Sequence, residues 1–554
     1  KHFIASRSEV CEFEKGEIVY KEGARPDYFY CMINGRVEIY HPRLKGKKRQ
    51  ETRIEFLRRG DYFGSISSLT GQPHSVSARA LNDSALLRIN TKDFNAILQR
   101  IPKLAIFLSH SLSRRLGRKT FKEIFESKIV AVYSESSKES FYIRSLAESL
   151  KKESGKKVLI VKSESISNKK EASYKLSLLT GEYHYILVDV LAGADEVTLE
   201  ILKQSDIIHI ISSSEKKSLY KISNLIKKLV NLRGRKTNED IFVILKEDEF
   251  YNRISYEDKC GFLSSPVFAS LPKESAGYEK AVRRIARSVS GVMVGLAMGS
   301  GAAMGLAHIG VLKVLEEEKI PIDIISATSI GALIAALWAG GFTAGEIEKL
   351  ACSFKSRLRT LFLVDPTIPI KGLIKGRAVR KILEFYLGRK TFFDLKMPLK
   401  IIACDIKNRS EFIIDKGSLI DAVMASIAIP GVFEPVDYAN DIQLVDGGIV
   451  DPLPVGVLSK GGIKKIIAVN TLPSPEDVVR IANKRLNIYD ILVNSFQAME
   501  FVIAENSGRT ADVSIHPIPK LADWYEFYKA ELFIKTGREH AIKALKNIKS
   551  LARK

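Results

Sequence analysis

The chain has 554 residues, 45% of them hydrophobic and 27% charged, with a formal net charge of +22. A chain this long outgrows a single core, so roughly two to four domains are expected, and a hydrophobic fraction near the globular average excludes a disordered or fibrous protein. The charge directs the protein to anionic surfaces; without zinc-knuckle spacing or interleaved aromatic and basic residues, a membrane surface bound peripherally fits better than nucleic acid.

The opening residues show no signal-peptide pattern, and a start at Lys1 rather than Met points to a preceding segment. From residue 1 to about 120, short alternating stretches with glycine turns predict a small β-barrel or jelly roll. Its strands are expected at Gly16–Tyr20, Tyr28–Ile33, Gly35–Tyr40 and Ala85–Ile89, with helices across Lys92–Lys119. The order Gly16-Glu17, Glu22-Gly23, Asn34-Gly-Arg-Val37, Arg59-Gly60-Asp-Tyr-Phe-Gly64 and Ser75 resembles the cyclic-nucleotide-binding domain family. That resemblance implies a Glu for the ribose hydroxyl and an Arg for the cyclic phosphate, but Ser65 and His74 stand at those positions. Losing a fixed cation opposite a phosphate removes a charge-assisted hydrogen bond worth roughly 1.5–3 kcal/mol. Ordinary cyclic AMP binding is therefore not expected; a regulatory role or a different ligand stays open.

Residues 121–285 switch to strands alternating with helices, a parallel α/β layout with strands at Ile129–Tyr133, Lys157–Val161, Tyr185–Asp189, Ile207–Ile211 and Ile241–Leu245. Tyr183-His-Tyr-Ile-Leu-Val-Asp189 looks like the acid-bearing strand of MinD-like P-loop ATPases. The loop after the first strand, Ser134-Glu-Ser-Ser-Lys-Glu-Ser140, has no glycine, and a phosphate cradle needs glycines to turn successive N–H groups inward. The domain reads as a degenerate, non-hydrolysing relative, and the charged stretches around Lys169 and Lys236 read as solvated loops.

Residues 286–554 hold the chemistry. Ser288–Leu312 and Ile324–Thr343 lack Lys, Arg, Asp and Glu and reach membrane-spanning length, but glycines and a strand-to-helix turn divide each, so both read as buried βα units. In the first, the strand Val292–Met298 runs into Gly299-Ser-Gly-Ala-Ala-Met-Gly305 and a helix, gathering backbone N–H groups at a helix N-terminus. A dinucleotide site would want a third glycine at Met304 and an acid at the end of the next strand, where neither stands. In the second, a β-branched run turns sharply at Ser329 into an Ala/Leu-rich helix closed by Gly340 and Gly341, a nucleophile-elbow pattern. Further on, Ile442-Gln-Leu-Val445 leads to Asp446-Gly447-Gly448, which alone reads as a hairpin turn.

In this order the three stretches resemble the patatin-like phospholipase family, in its neuropathy target esterase branch, over about Val289 to Ala541. Ala307-His-Ile-Gly-Val-Leu-Lys-Val-Leu315, Phe393-Asp-Leu-Lys-Met-Pro398 and Ala425-Ser-Ile-Ala-Ile-Pro-Gly-Val-Phe-Glu-Pro435 support it. The resemblance implies hydrolysis of phospholipid or lysophospholipid esters by a Ser/Asp dyad, without metal or other cofactor. Ser329 is the implied nucleophile and Asp446 the base; Ser300, Gly301, Ala302 and Gly305 form the implied oxyanion hole, with Ala327, Gly331, Gly447 and Gly448 shaping the elbow and the dyad loop. His308 reads as a packing residue. Ser300, Ala302, Met304 and Ala327 depart from the family pattern, and any of them needing positive φ is strained by about 1–2 kcal/mol. The alternative is a weakened patatin-fold pseudoenzyme that binds membrane or ligand. Cys11, Cys31, Cys260, Cys352 and Cys404 lack Cys-x-x-Cys spacing, which suggests reduced thiols and a cytoplasmic protein, peripheral at the inner membrane face.

Overall fold

The computed structural model describes residues 2–45, 48–106, 108, 127–134, 140–191, 195–232, 240–248, 251, 254–354, 374–438, 441–474, 488–519 and 525–553. These form two compact units, Lys1–Val289 and Ser290–Lys554.

The first unit opens with two antiparallel sheets of four strands. One runs Ser8–Phe13, Ser84–Asn90, Tyr28–Asn34, Tyr62–Phe63; the other runs Ile18–Tyr20, Ser77–Ala80, Arg36–Lys45, Lys48–Arg58. Alternation drives them: Val37, Ile39, Leu57 and Leu86 point into one core with Tyr30 and Phe63. Lys48–Arg58 escapes a sequence reading because charged residues dominate it, and its partner across ten registered pairs supplies the strand geometry. The helix Thr91–Arg100 opens the predicted helical stretch, whose last part, 109–119, lies outside the described residues.

The same unit continues as a six-stranded parallel sheet in the order Val158–Lys162, Tyr185–Leu191, Lys128–Ser134, Ile207–Ser212, Ile241–Lys246, Val267–Leu271. The first five match the expected strands; the edge strand Val267–Leu271, whose run is diluted by Ala269 and Ser270, was not expected. Lys169 opens a helix, Lys169–Leu179, capped by the Asn168 side chain, and not a loop. Lys236 and the loop at 135–139 lie outside the described residues. Buried Arg36 donates to both Asp206 carboxylate oxygens at 2.9 and 3.0 Å and so ties the barrel to this sheet.

The second unit is built on eight strands. Their order is Val436–Tyr438, Ile442–Asp446, Leu399–Asp405, Ile324–Thr328, Val294–Met298, Lys465–Val469, Val513–Ile515, with Ser410–Ile414 also pairing Leu399–Asp405. The central strands are parallel, while Ile442–Asp446 runs antiparallel to Leu399–Asp405. The two uncharged stretches are buried βα units: Val294–Met298 leads to the helix Ala307–Glu317, and Ile324–Thr328 to Ile330–Ala339. Among the described residues no helix is long and apolar enough to cross a membrane.

Candidate active site

The register of one strand joins the two key side chains. Thr328, at the end of the Ile324–Thr328 strand, pairs with Ile402, and Asp446, arriving from the opposite direction, pairs with the next residue, Ala403. The ends of the two strands therefore meet, and Ser329 Oγ donates to Asp446 Oδ2 at 2.6 Å. Both residues are buried.

Ser329 sits at φ 56° and ψ −127° between strand and helix. An L-residue adopts that conformation only under strain, and here it lifts the hydroxyl clear of the chain at the N-terminus of Ile330–Ala339. Gly331 makes the turn possible, since a Cβ there would lie 2.6 Å from the carbonyl oxygens of both Met298 and Gly299. The Ser329 N–H donates to Ser426 Oγ at 2.9 Å, and Ser426 Oγ donates to Ile402 O at 2.6 Å. Two residues on, Ala428 O accepts from Asp446 N at 2.8 Å. One short segment thus anchors the backbone of both dyad residues. Ser426 lies in the quoted Ala425–Pro435 stretch, but its alignment role depends on a contact 97 residues away in sequence.

Asp446 is held from its other side: Gly448 N–H donates to Oδ1 at 2.7 Å. Burial pushes the Asp446 carboxyl up to about 7, against the opposing pull of the Ser329 and Gly448 hydrogen bonds. A base in that range exists as carboxylate near neutral pH and keeps enough basicity to take a proton from serine.

The glycine-rich loop faces the pair. Gly301 precedes a 3-10 turn, Ala302–Leu306, and the first N–H groups of such a turn have no intrahelical acceptor. Gly301 and Ala302 line the pocket that contains Ser329 and Asp446, with Ser300 and Met304. One expected donor differs. The Ser300 N–H is used within the fold, donating to Pro452 O at 2.8 Å, although its side chain lines the pocket. At Gly305 there is no room for a side chain: a Cβ there would lie 2.1 Å from Ile330 Cγ2. Of the four departures from the family pattern only Ala302 has positive φ, at 47°, so Ser300, Met304 and Ala327 carry no such strain. Gly447 follows the base in a short 3-10 turn with Gly448, and Ala327 is an interior strand residue. His308 is buried with Nε2 2.8 Å from Gly299 O, and burial pulls its imidazole down to about 4. It stays neutral and braces the loop from behind, helped by Thr471 Oγ1 donating to Ser300 O at 2.7 Å.

Beside this pocket lies an apolar cavity of about 430 Å³ that also reaches Ser329. Leu306, Leu333, Leu337, Ile347 and Ile382 line it, as do Leu350 and Phe354. Those last two belong to Leu350–Leu363, a stretch whose mix of apolar and basic residues fits a cover over the site and a plain amphipathic surface helix equally well; its remainder, 355–363, lies outside the described residues.

In comparisons with known proteins, residues 296–459 match the patatin-like phospholipase family and residues 10–101 match the cyclic nucleotide-binding domain. The chain is 24% identical over 512 residues to patatin-like phospholipase domain-containing protein 6 of Mus musculus, covering 82% of this chain and 37% of that protein. It is 26% identical over 523 residues to neuropathy target esterase sws of Drosophila melanogaster, covering 82% and 35%. The chain thus spans little more than a third of the length of the curated relatives it matches. Among solved structures it is similar to the Thermus thermophilus catabolite activator protein, at 24% identity and a TM-score of 0.20, covering 27% of this chain and 66% of that one. Ser329 and Asp446 both fall inside the stretch that matches the patatin-like phospholipase family, and that stretch follows in sequence the one that matches the cyclic nucleotide-binding domain.

Proposed function

We propose that the second unit is a serine hydrolase that cleaves carboxylic esters of phospholipids or lysophospholipids through a Ser329/Asp446 dyad, with the barrel as its regulatory domain. The single observation that supports this most is the 2.6 Å hydrogen bond from a strained, buried serine to a carboxylate raised toward neutrality. Asp446 takes the Ser329 proton as Oγ attacks the ester carbonyl, and the N–H groups of Gly301 and Ala302 receive the charge on the carbonyl oxygen. Asp446 then passes the proton to the departing alkoxide. In the second half a water attacks the acyl-serine and gives its proton to Asp446, which returns it to Ser329 Oγ as the acyl C–O bond breaks and the fatty acid leaves.

The apolar cavity supports a long acyl chain as the substrate's hydrophobic half, because burying it there removes apolar surface from water at about 25 cal/mol per Å². A membrane source for the substrate has its own support. The helix Arg377–Leu387 lines the cavity with Val379, Ile382 and Leu383, while Phe385 on its other side is 81% exposed between exposed Lys381 and Arg389. An aromatic flanked by cations suits the headgroup layer of an anionic bilayer, so the protein is read as peripheral at the cytoplasmic face. Liposome association should therefore weaken with salt.

The test is release of free fatty acid from mixed micelles of monoacyl and diacyl glycerophospholipid by the purified chain and by Ser329→Ala. Release confined to the wild type is expected. Equal, background-level release from both would leave a binding protein that has lost catalysis.

A further inference from the structure

We propose that Glu500 is a positioning residue of this site: it and Asp446 hold one proton between them, and the proton resides on Glu500, which leaves Asp446 as the charged base. The proposal rests on the serine hydrolase reading and adds to it a third ionisable group.

Glu500 stands on the helix Ile488–Gly508 and lines the pocket of Ser329 and Asp446, together with Phe496 and Gln497 of the same helix. Its carboxyl lies against Gly448, where an added Cβ would fall 2.3 Å from Glu500 Oε1. The N–H of that glycine is the one that donates to Asp446 Oδ1, so the two carboxyls flank a single residue. Among the described residues the other walls bring no charge: the loop at 300–304, the segment at 429–432, Ile449, Leu472 and Pro473 contribute only neutral groups, and no described Lys, Arg or His lines the pocket. Two carboxylates so placed, with no cation between them, do not both ionise readily.

The donors decide which one keeps the proton. Asp446 accepts from Ser329 Oγ and from Gly448 N–H, and both bonds favour its charged form. Among the described residues no hydrogen bond reaches the Glu500 carboxyl. Burial, with the neighbouring Asp446 charge, accordingly pushes Glu500 above the usual carboxylate range. A protonated Glu500 leaves one negative charge in the pocket. An ionised Glu500 adds a second beside the place where the ester oxygen becomes negative, and attack is opposed.

The active form is thus singly ionised, which predicts a bell-shaped pH profile for kcat/KM, with the alkaline limb belonging to Glu500. The test is that profile, on a soluble short-chain carboxylic ester, for wild type, Glu500→Gln and Glu500→Asp. Each is scaled to its own maximum, with Ser329→Ala subtracted and folding checked by circular dichroism at every pH. Wild type should fall about tenfold per pH unit beyond the second ionisation. Glu500→Gln should lose that limb and plateau within about twofold, and Glu500→Asp, still titratable, should keep it. Turnover in which Glu500→Gln retains the wild-type alkaline limb overturns this proposal alone. Absence of any Ser329-dependent turnover overturns it together with the hydrolase reading.

Discussion

The barrel and the hydrolase-like site both depart from the residues their families use, and the departures fall on different kinds of chemistry. In the barrel they strike side chains that would carry the interaction, a glutamate and an arginine replaced by Ser65 and His74. His74 is buried and stacked on Tyr20 with ring centroids 3.7 Å apart, and burial lowers its basicity, so no fixed cation stands at that position. In the second unit only one of them, Ala302, falls on a residue whose proposed contribution is a backbone N–H; the Ser300 and Met304 amides bond within the fold and Ala327 lies inside a strand. Ala302 keeps its place in the loop and is the one of the four that is strained. An oxyanion hole made of amides, as proposed for Gly301 and Ala302, tolerates side-chain exchange that a site made of one guanidinium does not.

The predictions test that contrast. The largest effect is expected where the hydrolase site depends on a side chain: Ser329→Ala should lower ester turnover by at least about 10⁴-fold, and a smaller loss would mean that another group attacks. Asp446→Asn should follow at about 10³- to 10⁴-fold. It also carries a signature in stability. The Asp446 carboxyl is raised by burial, so the folded state holds its proton more tightly than the unfolded one. The stability this contributes is full below the unfolded carboxylate range and is lost as pH rises through about 7. Asp446→Asn should therefore raise Tm more at pH 8 than at pH 5, and the reverse order would contradict the buried-base description.

Ala302→Gly probes the amide side of the comparison. Relief of a left-handed alanine should stabilise the unit by up to about 1 kcal/mol after the entropy cost of glycine, with turnover changed less than about threefold. A loss of tenfold or more would show that the Ala302 methyl matters and that amides alone do not make the site. The smallest effect belongs to the barrel: 1 mM cyclic AMP should not shift the melting temperature. A ligand at a hundred times its Kd would add about 2.7 kcal/mol, so a clear shift would reverse the reading of Ser65 and His74.

Much of this was legible in the sequence, because periodicity and turn residues record local structure. The alternation in Tyr28–Ile33, the β-branched run before Ser329 and the glycines after Asp446 each announce an element and its end. What escaped depends on distant partners. The Ser300 amide looked available until the fold brought Pro452 O to it, and the packing of Ile330 that leaves no room for a side chain at Gly305 has no local signal. Ser426 and Glu500 lie in a short helix and a long one, where their immediate neighbours carry no sign of the dyad; sheet register and helix packing bring them there. The charged strand Lys48–Arg58 was missed for the same reason, since its partner defines it.

The most direct measurement of the central claim is covalent. A fluorophosphonate reacts with a serine only when a nearby base activates it, so the purified protein should be labelled once, with the adduct mapped by peptide mass spectrometry to Ser329, and Asp446→Asn should slow that labelling by orders of magnitude. Labelling at another residue, or at Ser329 with equal speed in Asp446→Asn, would contradict a base-activated serine at this elbow.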